Sequence, residues 1–381
     1  MNKNFVIVLI ISLLLISCGT DSVLKPSIEH PSSGMIKNLS VQNNILSFNT
    51  KDSTLVYFEF KNRINPEDNY KAWSAGKPKL NHIYKLPVDV PNNIYQAQLS
   101  VFHKESFQDT VFTFSSAYSS HSFLKVHYID VAQGDAILIQ TPDNFNIQID
   151  GGYGTRGSSA WQGGGQPLAL NYLMANDVSY LDFIIETHRH ADHYGGLTDI
   201  INSPITYGSY ISPQQPQGYY SGMNLNIDSI VDFNFLSIGY PPDYNGNNTN
   251  NTSIVLKVIY EEAEFLFTGD AEGEVQDFLL AEGYNLSSDV LKVSHHGSSS
   301  NNTSNSYFLS QILDQYAKIA VLSFGTNNPY NHPHAITRFS RFQTYGTGMP
   351  NTIPSGNNYT FNAGTITVIT DGFLIFVATE K

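Results

Sequence analysis

The chain has 381 residues, 41% of them hydrophobic and 13% aromatic, which suffices for a packed core and excludes wholesale disorder. With 20 Lys and Arg against 33 Asp and Glu, the formal charge of −13 excludes a diffuse electrostatic grip on nucleic acid. A single Cys excludes a disulfide framework and a Cys-rich zinc site, so any metal must be held by His and carboxylates.

Met1–Asn4 carries one Lys, and Phe5–Ile16 is an almost unbroken aliphatic run. As a helix that run is about 18 Å long, short of a bilayer core of about 30 Å, so it reads as the apolar region of an export signal. Leu15-Ile16-Ser17-Cys18-Gly19 follows and resembles the lipobox of bacterial lipoproteins. The expectation is a signal peptide over 1–17, a palmitate-type lipid on Cys18, and a membrane partner reached through that lipid. The protein would then sit in the cell envelope, at the outer membrane or a periplasmic face. An ordinary signal peptide with an incidental Cys is the alternative.

Residues 18–35 are polar with Pro and Ser, and read as a tether. Over 36–116 short period-two runs alternate with turn clusters: Ile45–Phe48, Leu55–Phe60, Tyr95–Phe102 and Thr110–Phe114. That pattern predicts a small all-β, immunoglobulin-like sandwich with no catalytic role. Ala117–Ser122 is a polar linker.

From 123 to 381 the pattern becomes α+β. Strands are predicted at Leu124–Val131, Ala136–Gln140, Phe145–Ile149, Leu181–Glu186, Ile254–Tyr260, Glu264–Phe267, Val290–Val293 and Ile319–Ser323. Helices are predicted at Pro167–Ala175, Leu197–Ile201, Glu272–Ala281, Tyr307–Tyr316 and His334–Tyr345. Polar residues at strand ends are where such proteins place chemistry.

Thr187-His188-Arg189-His190-Ala191-Asp192-His193-Tyr194-Gly195-Gly196 follows one of those strands directly. Three imidazoles and a carboxylate within six residues converge on a metal only from a turn, and the Gly pair reads as its tight exit. Asp150-Gly151-Gly152, Thr268-Gly269-Asp270, Leu291-Lys292-Val293-Ser294-His295-His296-Gly297-Ser298 and Asn331-His332-Pro333 follow in order. Asp130-Val131-Ala132-Gln133-Gly134-Asp135-Ala136 and Asn251-Thr252-Ser253-Ile254-Val255 accompany them.

Together these motifs resemble the metallo-β-lactamase fold superfamily, and within it the hydrolase domain of ComEC/Rec2 competence proteins, over about residues 124–378. The resemblance implies an αββα sandwich and one or two divalent metal ions, zinc first, with manganese or iron as alternatives. It implies metal ligation by His188, His190, Asp192, His193, Asp270 and His295, with Asp150, Asn251 and His296 as supporting residues or further ligands. Asp192, His295 and His332 would act in catalysis through a metal-activated hydroxide, and Ser298 with the Gly297 backbone would touch substrate. No His lies between His193 and Asp270, where the superfamily usually has another ligand, and Asn251 stands near that place. The implied activity is hydrolysis of a phosphodiester or nucleic-acid substrate, and no protein partner is implied. An ester, lactone or β-lactam hydrolase on the same site, and a non-catalytic exported binding protein with a structural metal, remain the other readings.

Overall fold

A computed structural model describes residues 35–381 except 65–68, 89–92, 104–105, 118–121, 217, 226, 240–247, 300–305, 313–317, 335, 340–341, 355 and 357. The expected signal peptide and Cys18 lie outside the described residues.

Strands alternate their side chains between faces, and here the two faces serve different cores. In Ile137–Gln140, Ile137 and Ile139 join the core between the two sheets while Leu138 faces the outside. In Ala263–Phe267, Phe265 and Phe267 point inward and Leu266 outward. Among the described residues, four helices cover the outer faces: α1 (Leu168–Ala175), α2 (Ala191–Ile201), α3 (Gly273–Ala281) and α4 (Ser306–Ile312). Leu173, Leu197 and Ile200 of α1 and α2 pack on one sheet, and Val275, Leu279 and Ile312 of α3 and α4 on the other. The result is the expected αββα sandwich.

The second sheet orders its central strands Val231–Ser237, Val255–Tyr260, Ala263–Phe267, Val290–Lys292, Lys318–Leu322 and Phe342–Gly346. Here one prediction fails. His334–Tyr345, read as a helix, is a short 3-10 turn at Ile336–Phe339 followed by the strand Phe342–Gly346. That strand pairs in parallel with Lys318–Leu322 and buries Phe342, Thr344 and Tyr345. Sheet pairing and burial override the local helical pattern.

The N-terminal β region is built on one long strand, Ile45–Asn62, where the sequence suggested two short ones. Its first half pairs with Ile36–Gln42 and Lys79–Lys85, its second with Asn69–Ser74 and Ile94–His103. The strand pairing also continues past the expected boundary near residue 120. Asn69–Ser74 lies against the C-terminal strand Leu374–Thr379, pairing Ile375 with Trp73 and Phe376 with Ala72. Ile375 and Val377 of that strand belong to the inter-sheet core, Leu374 and Phe376 to the core of the N-terminal region. Phe376 is fully buried, its ring 6.1 Å from that of Phe60. Phe376→Ala is therefore expected to lower the unfolding free energy by about 3–5 kcal/mol in urea titrations. A loss below about 1 kcal/mol would show that the two regions stand independently.

Candidate metal centre

Strand Tyr180–Ile185 delivers the turn, and α2 begins immediately after His190, whose backbone is extended at φ −88° and ψ 150°. Asp192 falls in the first helical turn, where the helix dipole favours an anion. The Gly pair lies inside α2 rather than at the exit of the turn, and its role is close approach. A Cβ on Gly196 would sit 1.9 Å from the Gly151 carbonyl, and one on Gly195 2.3 Å from that of Tyr153. The contact is stitched by Gly151 N to His193 O at 2.7 Å and Gly196 N to Gly152 O at 2.8 Å.

Each central imidazole is fixed through one nitrogen so that the other faces the site. His193 Nδ1 lies 2.7 Å from Asp150 Oδ2, His296 Nδ1 donates to the Ser323 carbonyl at 2.8 Å, and His188 Nδ1 lies 3.2 Å from Thr187 Oγ1. The free nitrogens converge on Asp270, whose Oδ2 lies 3.3 Å from His193 Nε2 and 3.7 Å from both His188 Nε2 and His296 Nε2. His296 Nε2 is also 3.3 Å from Asp192 Oδ2, and His190 Nδ1 is 3.0 Å from His188 Nε2. Despite these distances, His193 Nε2, His296 Nε2 and Asp270 Oδ1 are buried without a hydrogen bond. Buried polar atoms left this way are costly. His188, His193 and Asp270 bring donor atoms within 4.8 Å of one another, as do Asp192, His193 and His296. Orphaned imidazole and carboxylate atoms around one point fit a divalent cation.

The metallo-β-lactamase superfamily profile matches residues 129–305, which contain most of these donors. The chain carries a metallo-β-lactamase superfamily domain. It is 27% identical to ComE operon protein 3 of Bacillus subtilis, over 55% of this chain and 29% of that protein. It is 32% identical to competence protein ComA of Neisseria gonorrhoeae, over 60% of this chain and 30% of that protein. The chain thus spans under a third of the length of either relative. A solved diphosphatase of the PhnP family superposes with a TM-score of 0.32 and 12% identity, over 62% of this chain and 95% of that one, too distant to bear on function.

Within the metallo-β-lactamase domain, electrostatics follow from burial. Burial alone would raise Asp192, but the nearby His296 and His193 hold it well below the usual carboxylate range. Burial likewise opposes charge on His296, yet Asp270, Asp135 and Asp192 push it up to about 10. Burial, reinforced by His193, drives His188 well below the ordinary imidazole value. Asp150 is raised by burial, while its bonds to His193 and to Thr187 favour the anion.

Several expected residues sit differently. The place foreseen for His295 among the ligand groups is taken by His296. Both residues have left-handed backbone, φ 48° and 52°, so the chain coils tightly and sends the two rings apart. His295 stays at the rim, its side chain 21% exposed, with Nε2 3.8 Å from Asp270 Oδ2. Asn251 is turned away to α3, accepting from Glu272 N at 3.2 Å and donating to Glu274 at 2.8 Å. Its neighbour Asn250 is the amide near His295, at 3.4 Å. Gly297 packs its Cα against Pro333, where a Cβ would lie 2.5 Å from the proline side chain. Ser298 is buried behind it, its N–H donating to the His295 carbonyl at 2.8 Å. His332 is buried beside His295 at 5.4 Å between rings, and burial followed by the neighbouring His296 and His295 lowers it to about 3.

Asp135 and Lys292 stand in the sequence motifs with no role that spacing alone reveals. They form a fully buried ion pair at 2.7 Å behind the site, with Asp135 Oδ1 3.5 Å from His296 Nδ1. Ser253 joins them: its Oγ accepts from Asp270 N at 3.1 Å and lies 3.4 Å from His188 Nδ1. A Lys inside an otherwise apolar strand was the available signal.

Asp150 accepts from Thr187 N at 2.8 Å and Thr187 Oγ1 at 2.6 Å as well as holding His193. Asp150→Asn is expected to weaken zinc binding by about 10–100-fold in competition titrations with a chromophoric chelator. Unchanged affinity would mean that His193 is oriented without it.

Proposed function

We propose that the protein is an exported, lipid-anchored, metal-dependent phosphodiesterase. The observation that carries the reading is the set of buried, unsatisfied His193, His296 and Asp270 atoms converging on one point. His188, His190, Asp192, His193, Asp270 and His296 would hold one or two divalent ions, and their imidazole and carboxylate chemistry suits zinc, with manganese or iron as substitutes. When bound, such an ion supplies Lewis acidity and brings the pKa of a water to about 7.

The chain's own residues supply the rest. Asp192, kept anionic by its neighbours, is placed to orient a water and accept its proton at Oδ2. His295, at the rim and only partly exposed, is placed to meet the leaving group, with buried His332 packed against it. A phosphodiester is favoured over an ester or lactam by Arg156 beside the turn, Arg189 being already paired with Glu186 at 3.2 Å. The Arg156 and Arg189 guanidiniums lie 4.9 and 4.7 Å from the ring centre of Tyr194, and Arg156 donates to its hydroxyl at 2.8 Å. In an acidic chain that local pairing suits a phosphate.

With zinc or manganese, turnover of bis(p-nitrophenyl) phosphate is expected to exceed that of a lactone or nitrocefin. Asp192→Asn should lower turnover by about 10²–10⁴ and by more than it lowers metal content, whereas Asp270→Asn should lower both. Wild-type turnover in both variants would place the activity elsewhere and leave the binding-protein reading.

Anchoring rests on the Leu15–Cys18 motif, and no helix of the described residues is long and apolar enough to cross a membrane. Cys18→Ala is expected to move the processed protein from the membrane fraction to the soluble fraction. Retention on the membrane would refute lipid anchoring.

A further inference from the structure

We propose that Tyr153, Trp161 and Tyr330 form a stacking wall beside the metal centre, which receives a nucleobase-like planar ring next to the scissile phosphodiester. This rests on the phosphodiesterase reading and adds a substrate class to it. The rings run in series toward the site. Tyr153 meets Trp161 edge-on at 5.8 Å, Trp161 meets Tyr330 edge-on at 5.6 Å, and Tyr330 stacks on His332 at 5.6 Å with planes 28° apart. His332 in turn touches His295, which lies 3.8 Å from Asp270.

Core aromatics are covered, but these are not: Tyr330 is 52% exposed, and Tyr153 and Trp161 are only partly buried. The loops that carry them are pinned. The Trp161 carbonyl accepts from Gln133 N at 2.9 Å, and Gln133 Oε1 accepts from Gly325 N at 3.2 Å. Gly325 leaves no room for a side chain, since a Cβ there would lie 2.5 Å from the Trp161 carbonyl. Asn328 closes the other loop, accepting from His332 N at 3.0 Å and donating to the Gly325 carbonyl at 2.7 Å. Rings held in place before binding lose little freedom on stacking.

A chain of net charge −13 has no diffuse field to attract a polyanion, so beyond the local Arg156 contact a nucleotide would be held by ring faces, which accept any base.

The test uses the full zinc-loaded protein with two esters that share a leaving group, thymidine 5′-(p-nitrophenyl) phosphate and methyl p-nitrophenyl phosphate. Tyr330→Ala and Trp161→Ala are each expected to lower the thymidyl-to-methyl ratio of kcat/KM on the order of tenfold, chiefly through KM. An unmoved ratio overturns the wall. Binding is read separately by fluorescence, comparing wild type with Trp161→Phe, because Trp73 is the only other tryptophan. Thymidine 5′-monophosphate should quench the Trp161 component, and ribose 5-phosphate should not. Equal quenching by both, or by neither, overturns the proposal. Selective quenching without turnover of either ester supports the wall and defeats the phosphodiesterase reading instead.

Discussion

The carboxylate of Asp150 organises everything around it. It ends the strand Asn146–Ile149 in a left-handed conformation, φ 53°, and is completely buried. Its two oxygens bind the Thr187 backbone, the Thr187 hydroxyl and His193 Nδ1, so one side chain ties the ends of two parallel strands to the helix that follows. A buried anion is tolerable only with that many donors. The donors belong to the ligand turn itself, so satisfying Asp150 and shaping the centre are the same event. The glycines of α2 and of the Asp150 loop then allow backbones to meet at distances that any side chain would forbid.

A second buried ion pair supports the opposite wall. Lys292 lies on a strand of the second sheet and Asp135 on a loop of the first, so their contact spans the sandwich beneath His296. Buried pairs of this kind contribute little net stability, but removing one partner strands a charge. Their effect here is registry: they set the spacing between the sheets at the level where ligands from both must meet.

Much of this was legible in the residues. The alternation in Ile137–Gln140 and Ala263–Phe267 gave strands and faces together, and His188 to His193 announced a donor cluster. What escaped depends on packing. His295 and His296 are adjacent and chemically identical, so only the left-handed backbone at both decides which ring turns inward. Asn251 was a reasonable stand-in for a missing imidazole until Glu272 and Glu274 claimed its amide. His334–Tyr345 has helical spacing, and only the free edge of Lys318–Leu322 makes part of it a strand. The join between Asn69–Ser74 and Leu374–Thr379 links residues about 300 positions apart, beyond the reach of any local pattern.

That join has a consequence for how the chain acquires its shape. The strand shared by the two cores follows its partner Asn69–Ser74 by about 300 residues. Until Leu374–Thr379 is in place, the N-terminal region keeps an open edge and lacks Leu374 and Phe376 from its interior. Contacts this distant in sequence close late and slowly. The N-terminal region and the sandwich therefore complete each other only once both of these distant strands are in place.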